Sequence, residues 1–154
     1  MTPLQIVLLV CGILVVVFTV VSLVLRFFSN RTRKRAQIAL EGHKVLFEDR
    51  GANCIGVNSP QRGTNRGNGY LFLTEEGLLF LAYVGYDIEV SYMDITEVGT
   101  KRSQKGKSIF RELLSVTYTY NGSVENAAWY TGKLEEALTI LEKALAARDR
   151  ARTG

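Results

Sequence analysis

An uninterrupted apolar run opens the chain. Residues 6–25 contain no charged side chain, and sixteen of these twenty residues are Leu, Ile, Val or Phe. An α-helix rises about 1.5 Å per residue, so the run is about 30 Å long and matches the hydrocarbon core of a bilayer. The pattern therefore predicts a transmembrane anchor, which we assign to residues 1–28.

A cleaved signal peptide is the competing interpretation of an apolar run near an N-terminus. Such a peptide needs basic residues ahead of the run and small residues before the cleavage site. Residues 1–5 carry no charge, and the segment after the run reads Ser29-Asn30-Arg31, which is not a site of that kind. We therefore expect the helix to be retained in the membrane.

From residue 42 onward, short stretches of alternating apolar and polar residues replace the long run, as expected of strands that bury one face. Between two of these stretches, Asn121-Gly122 is the strongest hairpin turn, because both residues accept a positive φ angle. The pattern predicts about seven antiparallel strands, in the segments 44–48, 53–57, 70–74, 78–84, 87–93 with its continuation 95–99, 114–120 and 127–130.

One amphipathic helix follows the last strand. Leu134, Leu138, Leu141 and Leu145 recur at intervals of three or four residues, which places them in one apolar stripe. We expect this helix to end near residue 147 and residues 148–154 to form a flexible tail.

The strand region resembles a known family. Residues 69–80 read GYLFLTEEGLLF and residues 88–98 read IEVSYMDITEV, which is similar to the core motif of GRAM and bacterial PH-like domains. The resemblance implies a mainly β (α+β) fold over residues 42–147: a seven-stranded antiparallel β-barrel or sandwich capped by the C-terminal helix, with Leu138 and Leu141 closing one open end. It also implies a non-enzymatic module that binds lipid headgroups, peptides or other proteins.

The basic balance of the chain is confined to the segment that follows the apolar run. The whole chain carries a net charge of +4, but from Ala36 onward 14 basic residues stand against 15 acidic ones, a net charge of −1. Nucleic-acid-binding domains typically carry a basic surface. We therefore expect no nucleic acid among the partners.

Five basic residues account for that difference, and they are also the first candidate site. Basic residues next to a span stay in the cytoplasm, so the N-terminus is predicted to lie outside and the domain in the cytoplasm. The cluster either only sets this topology or also attracts anionic lipid, at about 1 kcal/mol per residue. The five residues lie in a basic juxtamembrane segment over residues 29–41 and in the turn before it. They are Arg26, Arg31, Arg33, Lys34 and Arg35.

A second group of cations lies between the predicted strands 95–99 and 114–120. It forms either a solvated hairpin or a contact for anionic headgroups or for an acidic partner surface. Arg62 and Arg66, in a glycine-rich loop, are a weaker candidate of the same kind. The members of the second group are Lys101, Arg102, Lys105, Lys107 and Arg111.

Catalytic and metal-binding patterns are sparse. His43 is the only histidine, and Cys54 is the only cysteine outside the apolar run. A metal site needs three or four ligands, and a strand cysteine is more often a small core residue than a nucleophile. We predict no enzymatic activity, no metal and no cofactor.

The sequence thus predicts a single-pass membrane protein whose cytoplasmic domain binds a protein partner or anionic lipid headgroups, and we expect it in a bacterial inner membrane. The alternative is an accessory or assembly subunit of a larger membrane protein complex. A short connection between anchor and domain predicts that the domain lies close to the bilayer, where even weak binding suffices.

Overall fold

The computed structural model describes residues 2–104 and 107–153, apart from the side chains of residues 6, 7 and 107–109. In chain order the elements are α1 (Pro3–Ala39), β1 (Val45–Asn58), β2 (Gly67–Thr74), β3 (Gly77–Ala82), β4 (Ile88–Ser91), β5 (Ile95–Gln104), β6 (Lys107–Tyr120), β7 (Ser123–Tyr130) and α2 (Leu134–Thr153).

A single continuous helix of 37 residues, α1, begins the structure. Thr2 caps it, because Thr2 Oγ1 accepts a hydrogen bond from Gln5 N (3.4 Å) and Gln5 Oε1 accepts one from Thr2 N (2.9 Å). Its first part is long and apolar enough to cross a membrane, and the Leu, Ile, Val and Phe side chains from Leu8 to Phe27 are exposed. The helix continues beyond the apolar run through most of the basic juxtamembrane segment.

The seven strands form one antiparallel sheet in the order β4-β3-β2-β1-β7-β6-β5. The long strand β1 joins the two halves of this sheet: residues 45–54 pair with β2, and residues 53–58 pair with β7. One core lies between the halves, and α2 closes it with Ala137 and Leu141, both fully buried. This architecture confirms the predicted fold class. The largest fully buried apolar side chains are Trp129, Tyr118, Phe80, Leu71, Leu73, Leu78, Ile88, Ile95, Leu113, Leu114 and Leu141.

Two strand boundaries differ from the prediction. Segments 44–48 and 53–57 are one strand, β1, whose pairing with β2 is irregular between Asp49 and Ala52. Asp49 stabilises this irregularity: its Oδ1 accepts from Gly51 N (2.8 Å), and its Oδ2 accepts from Thr131 Oγ1 and from Gly132 N (3.3 Å). The polar residues that look like a turn in sequence are therefore tied to the start of α2.

The second difference lies in the polar segment 100–108, most of which belongs to β5 and β6 rather than to a loop. Gln104 Nε2 donates to the carbonyl oxygens of Gly56 (3.2 Å) and Asn126 (3.3 Å), so the hairpin extends across the outside of β7 towards β1. The predicted hairpin turn is confirmed, with positive φ angles at Asn121 (47°) and Gly122 (77°).

The last helix is longer than predicted. Residues 148–153, expected as part of a flexible tail, continue α2. Arg148 explains part of this extension, because its Nη1 donates to Tyr92 O (2.8 Å) and Ile95 O (2.5 Å) and thereby ties the helix to the β4–β5 corner.

Candidate functional site

The C-terminal part of α1 packs on the outer face of β2 and β3. Ala36, which is only 6% exposed, contacts a second apolar cluster outside the barrel core, made of Tyr70, Phe72, Leu79 and Leu81. Alternate residues of β2 and β3 point to opposite faces, and both faces of these strands are apolar. The outer face therefore needs a cover, and the juxtamembrane segment provides it instead of forming a free linker.

Polar contacts fix the position of this helix. Ser29 Oγ and Tyr70 OH form a hydrogen bond of 3.1 Å. Arg35 forms an ion pair with Asp87, and its Nη1 donates to Ala82 O (3.3 Å). Because these contacts begin only four residues after the apolar run ends at Leu25, the anchor and the domain are joined without a flexible connection.

The direction of α1 distinguishes the two ends of the sheet. Ser29 contacts Tyr70, at the beginning of β2, near the connections 59–66 and 83–87; we call this the loop end. Beyond the end of α1, His43 Nδ1 lies 3.4 Å from Glu76 Oε2, beside the β2–β3 turn 75–76 and the β4–β5 corner 92–94; we call this the turn end. The loop end therefore lies next to the apolar run, and the turn end lies away from it.

A groove of about 280 Å³ separates α1 from β1. Arg50 forms an ion pair with Glu48 across the strand side of this groove, and the hydrogen bond and charge of Glu48 raise the pKa of Arg50. We call this cleft the α1–β1 groove; its lining consists of Arg33, Ala36, Gln37, Leu40, Glu48, Arg50, Tyr70 and Phe72.

The predicted juxtamembrane cations divide into two groups. Arg35 is engaged by Asp87, so its charge is neutralised within the protein. The other four, Arg26, Arg31, Arg33 and Lys34, are exposed. Among them only Arg33 lines the α1–β1 groove.

The predicted cations of the β5–β6 hairpin are largely engaged by neighbouring strands. Lys101 Nζ donates to Asn126 Oδ1, and burial lowers the pKa of Lys101. Arg102 Nη2 donates to Glu112 Oε1 (3.2 Å). The guanidinium of Arg111 lies 5.3 Å from the centre of the Tyr130 ring. Lys105 lies outside the described residues, as does the side chain of Lys107.

A buried ion pair at the loop end was not anticipated from the sequence. Arg62 is bonded to Glu125, whose side chain is 0% exposed, and the guanidinium of Arg62 lies 3.7 Å from the centre of the Tyr120 ring. Ser59 Oγ donates a hydrogen bond to Glu125 Oε1, and Arg62 Nη2 donates one to Tyr118 OH (3.2 Å). Tyr118 is also hydrogen-bonded to Glu125. We call this group the mouth cluster; it consists of Ser59, Arg62, Tyr86, Tyr118, Tyr120 and Glu125.

The electrostatics of the mouth cluster favour the ion pair. Burial acts to raise the pKa of Glu125, but hydrogen bonds from Arg62, Ser59 and Tyr118 outweigh it, so this pKa lies below its ordinary value. Burial and the bond to Glu125 raise the pKa of Tyr118. Arg62 is therefore already paired with an internal carboxylate, while Arg66 in the same loop is exposed.

The structure does not bring the two candidate catalytic side chains together. Burial raises the pKa of Cys54 to about 12, and its Sγ donates to Asn65 O (3.6 Å) in the barrel core. His43 lies at the turn end, beside Glu76. Within residues 2–104 and 107–153, no three His, Cys, Asp or Glu side chains are grouped as a metal would require.

Comparison with known proteins gives similarity at the level of structure. No protein-family model and no curated protein sequence matches the chain. Among solved structures, the chain is similar to the Vps36 N-terminal PH domain, with 16% sequence identity and a TM-score of 0.49. The alignment covers 70% of this chain and 82% of that domain.

Proposed function

We propose that this protein is a membrane-tethered, non-enzymatic binding module whose β domain binds a protein partner or anionic lipid at the cytoplasmic face. The observation that carries the proposal is the exposure of the apolar half of α1, whose side chains pack against nothing else in the described chain. Apolar surface of this extent is costly in water, at about 25 cal/mol per Å². A bilayer removes that cost.

The contacts of α1 support a domain held against the membrane. Ser29 follows Leu25 by four residues, which is about 6 Å along a helix. The headgroup layer adds about 5–7 Å on each side of the hydrocarbon core. If residues 6–25 span the bilayer, the Ser29–Tyr70 contact lies at the depth of the headgroups and the loop end faces the membrane.

The chemistry of the domain supports binding rather than catalysis. The thiol of Cys54 is buried and stays protonated at neutral pH, because its pKa is raised to about 12. The mouth cluster pairs its cation internally. A ligand would therefore bind to the exposed surface of the domain, which includes the fully exposed Phe110 on β6.

Alkaline carbonate extraction of native membranes tests the tether. We expect the full chain to remain in the membrane pellet, and an externally added protease to reach the domain only after the membrane is opened. Release into the supernatant would contradict the span, and digestion from outside the intact cell would contradict the cytoplasmic orientation.

A second candidate function is an accessory subunit of a larger membrane complex. It is favoured by a groove of about 520 Å³ at the turn end, between α2 and the β2–β3 turn, where Leu46 and Met93 are exposed. Extraction in a mild detergent followed by size analysis separates the candidates. A subunit would migrate in a stable complex of much greater mass, whereas a tethered module would migrate alone or with transient partners.

A further inference from the structure

The geometry points to a lipid site in the α1–β1 groove: we propose that it holds the headgroup of an anionic phospholipid, with Arg33 and Arg50 on either side of the phosphate. This inference rests on the proposed function, because the lipid comes from the bilayer that residues 6–25 span. It adds a specific lipid site to that function. One of the two cations of the site, Arg50, belongs to neither basic cluster predicted from the sequence.

The groove brings together cations from distant parts of the sequence. Arg33 stands on α1 and Arg50 on β1, and both line the same cleft. Its lining also includes Ala36, Tyr70 and Phe72, which present apolar and aromatic atoms, and the carboxylate of Glu48. A phospholipid headgroup with its glycerol has the same division, since a charged phosphate adjoins an apolar portion.

A chain of contacts links the groove to the end of the apolar run. Ser29 Oγ bonds Tyr70 OH (3.1 Å), the Tyr70 and Tyr83 rings are 5.6 Å apart, and Tyr83 OH donates to Arg50 O (3.2 Å). This chain of contacts connects Arg50 to the part of α1 that leaves the membrane. The backbone of Arg33 lies about 12 Å along the helix beyond Leu25, outside a headgroup layer of about 5–7 Å. Its long side chain reaches back towards that layer, because helical side chains incline towards the N-terminus, here towards the bilayer.

The charges leave capacity for an anion. No carboxylate of the described residues forms an ion pair with Arg33, in contrast to Arg35. The Arg50–Glu48 contact uses Nε of Arg50, so its two terminal nitrogens can still donate. Guanidinium groups bind phosphate in a bidentate manner. Glu48 lines the same groove and pairs with Arg50, so its negative charge opposes an anion placed beside Arg50.

The experiment uses the full chain in nanodiscs of mixed phosphatidylcholine and phosphatidylglycerol, with native mass spectrometry of the released protein as the readout. Wild type should retain phosphatidylglycerol. The double variant Arg33→Gln/Arg50→Gln should reduce that retention about tenfold or more, because hydrogen bonds to a charged group are lost on both sides. The control Arg31→Gln/Lys34→Gln removes the same charge from exposed positions of α1 and should retain the lipid.

Three results would overturn the inference: equal loss in the control, undiminished retention in Arg33→Gln/Arg50→Gln, or displacement of the lipid by excess inorganic phosphate, which would assign the site to a free anion. Glu48→Gln provides an independent check, because it should increase retention, and no increase also counts against the site. Failure of the proposed function looks different, since wild type itself would then be extracted by alkaline carbonate.

Discussion

Glu125 and Arg62 are 63 positions apart in sequence and form a buried ion pair in the mouth cluster, where the Arg62 side chain retains 17% exposure. Burying two charges costs more than most side-chain contacts return, so such a pair contributes little net stability. Its importance appears when one partner is removed, because the other charge is then left without compensation.

We predict that Glu125→Ala destabilises the domain by about 2–4 kcal/mol, somewhat less than the roughly 3–5 kcal/mol typical of broken buried pairs, because Arg62 keeps some contact with water. Urea unfolding in detergent, followed by the fluorescence of Trp129, measures this directly, since Trp129 is the only tryptophan and lies in the core. The matched control Glu142→Ala, at an exposed position of α2, should change stability by less than about 0.5 kcal/mol. Equal effects in the two variants would contradict the role of the pair.

The same pair predicts a pH dependence. The pKa of Glu125 is lower in the folded protein than the ordinary value of about 4.3, so the unfolded chain takes up its proton first. This contribution to stability is present above about pH 4.3 and is lost as the pH falls through the folded-state pKa. Unfolding free energies measured from about pH 6 down to pH 3 should fall more steeply for wild type than for Glu125→Gln. Parallel curves would refute this assignment.

At the scale of elements, the docking of α1 on β2 and β3 decides how the domain is presented. Ala36 faces the apolar cluster of Tyr70, Phe72, Leu79 and Leu81, and a large or charged side chain does not fit there. Ile38, two residues later, is 74% exposed on another side of the same helix. These two positions allow a matched comparison.

We predict that Ala36→Glu releases the helix from the sheet, because a side chain longer than that of alanine overpacks the contact with the apolar cluster of β2 and β3. The bonds after Arg31, Arg33, Lys34 and Arg35 should then be cleaved by trypsin about tenfold or more faster, while the domain fragment stays folded. Ile38→Glu introduces the same charge and should leave cleavage unchanged. Unchanged cleavage in Ala36→Glu would show that the docking is not maintained in solution.

The sequence predicted strands β2 and β3 but not the helix α1 that covers their outer face. Tyr70–Thr74 and Leu78–Ala82 are continuous apolar stretches, and such strands are buried on both faces; this signal could have indicated an element on the outer face. The polar segment 100–108 indicates a loop in sequence, but most of it is strand. Gln104 there bonds β1 and β7, and no local sequence pattern reveals these partners. The mouth cluster depends on residues that only the fold brings together.

The candidate sites also divide into residues that the sequence indicates and residues that only the tertiary structure brings together. The basic run after the apolar segment can be read from composition, and Arg33 belongs to it. Arg50 carries no such signal, because it stands alone between Asp49 and Gly51 in a segment typical of a turn. Its place in the α1–β1 groove follows from the irregular pairing of β1 and from the packing of α1, which are tertiary features.

At the scale of the whole molecule, the docked part of α1 fixes the orientation of the domain relative to the apolar run. From Ser29 to Ala39 the helix advances about 15 Å, from the loop end to the turn end. Val84, 66% exposed, belongs to the loop end, and Met93, 59% exposed, belongs to the turn end. A domain on a flexible linker would hold neither residue at a fixed distance from the apolar run, whereas a docked domain holds the two residues at different distances from it.

We therefore predict that a spin label at Val84→Cys, in a Cys11→Ser background, lies near the headgroups, and that one at Met93→Cys lies about 15 Å farther from the bilayer. Cys54 should not interfere, since its thiol is buried and its pKa is raised to about 12. Relaxation by a lipid-attached paramagnetic chelate measures both positions in proteoliposomes. Adding Ala36→Glu should make the two labels equivalent, because the domain then moves independently of the helix. Equivalent depths without that change would mean that α1 anchors the domain but does not orient it.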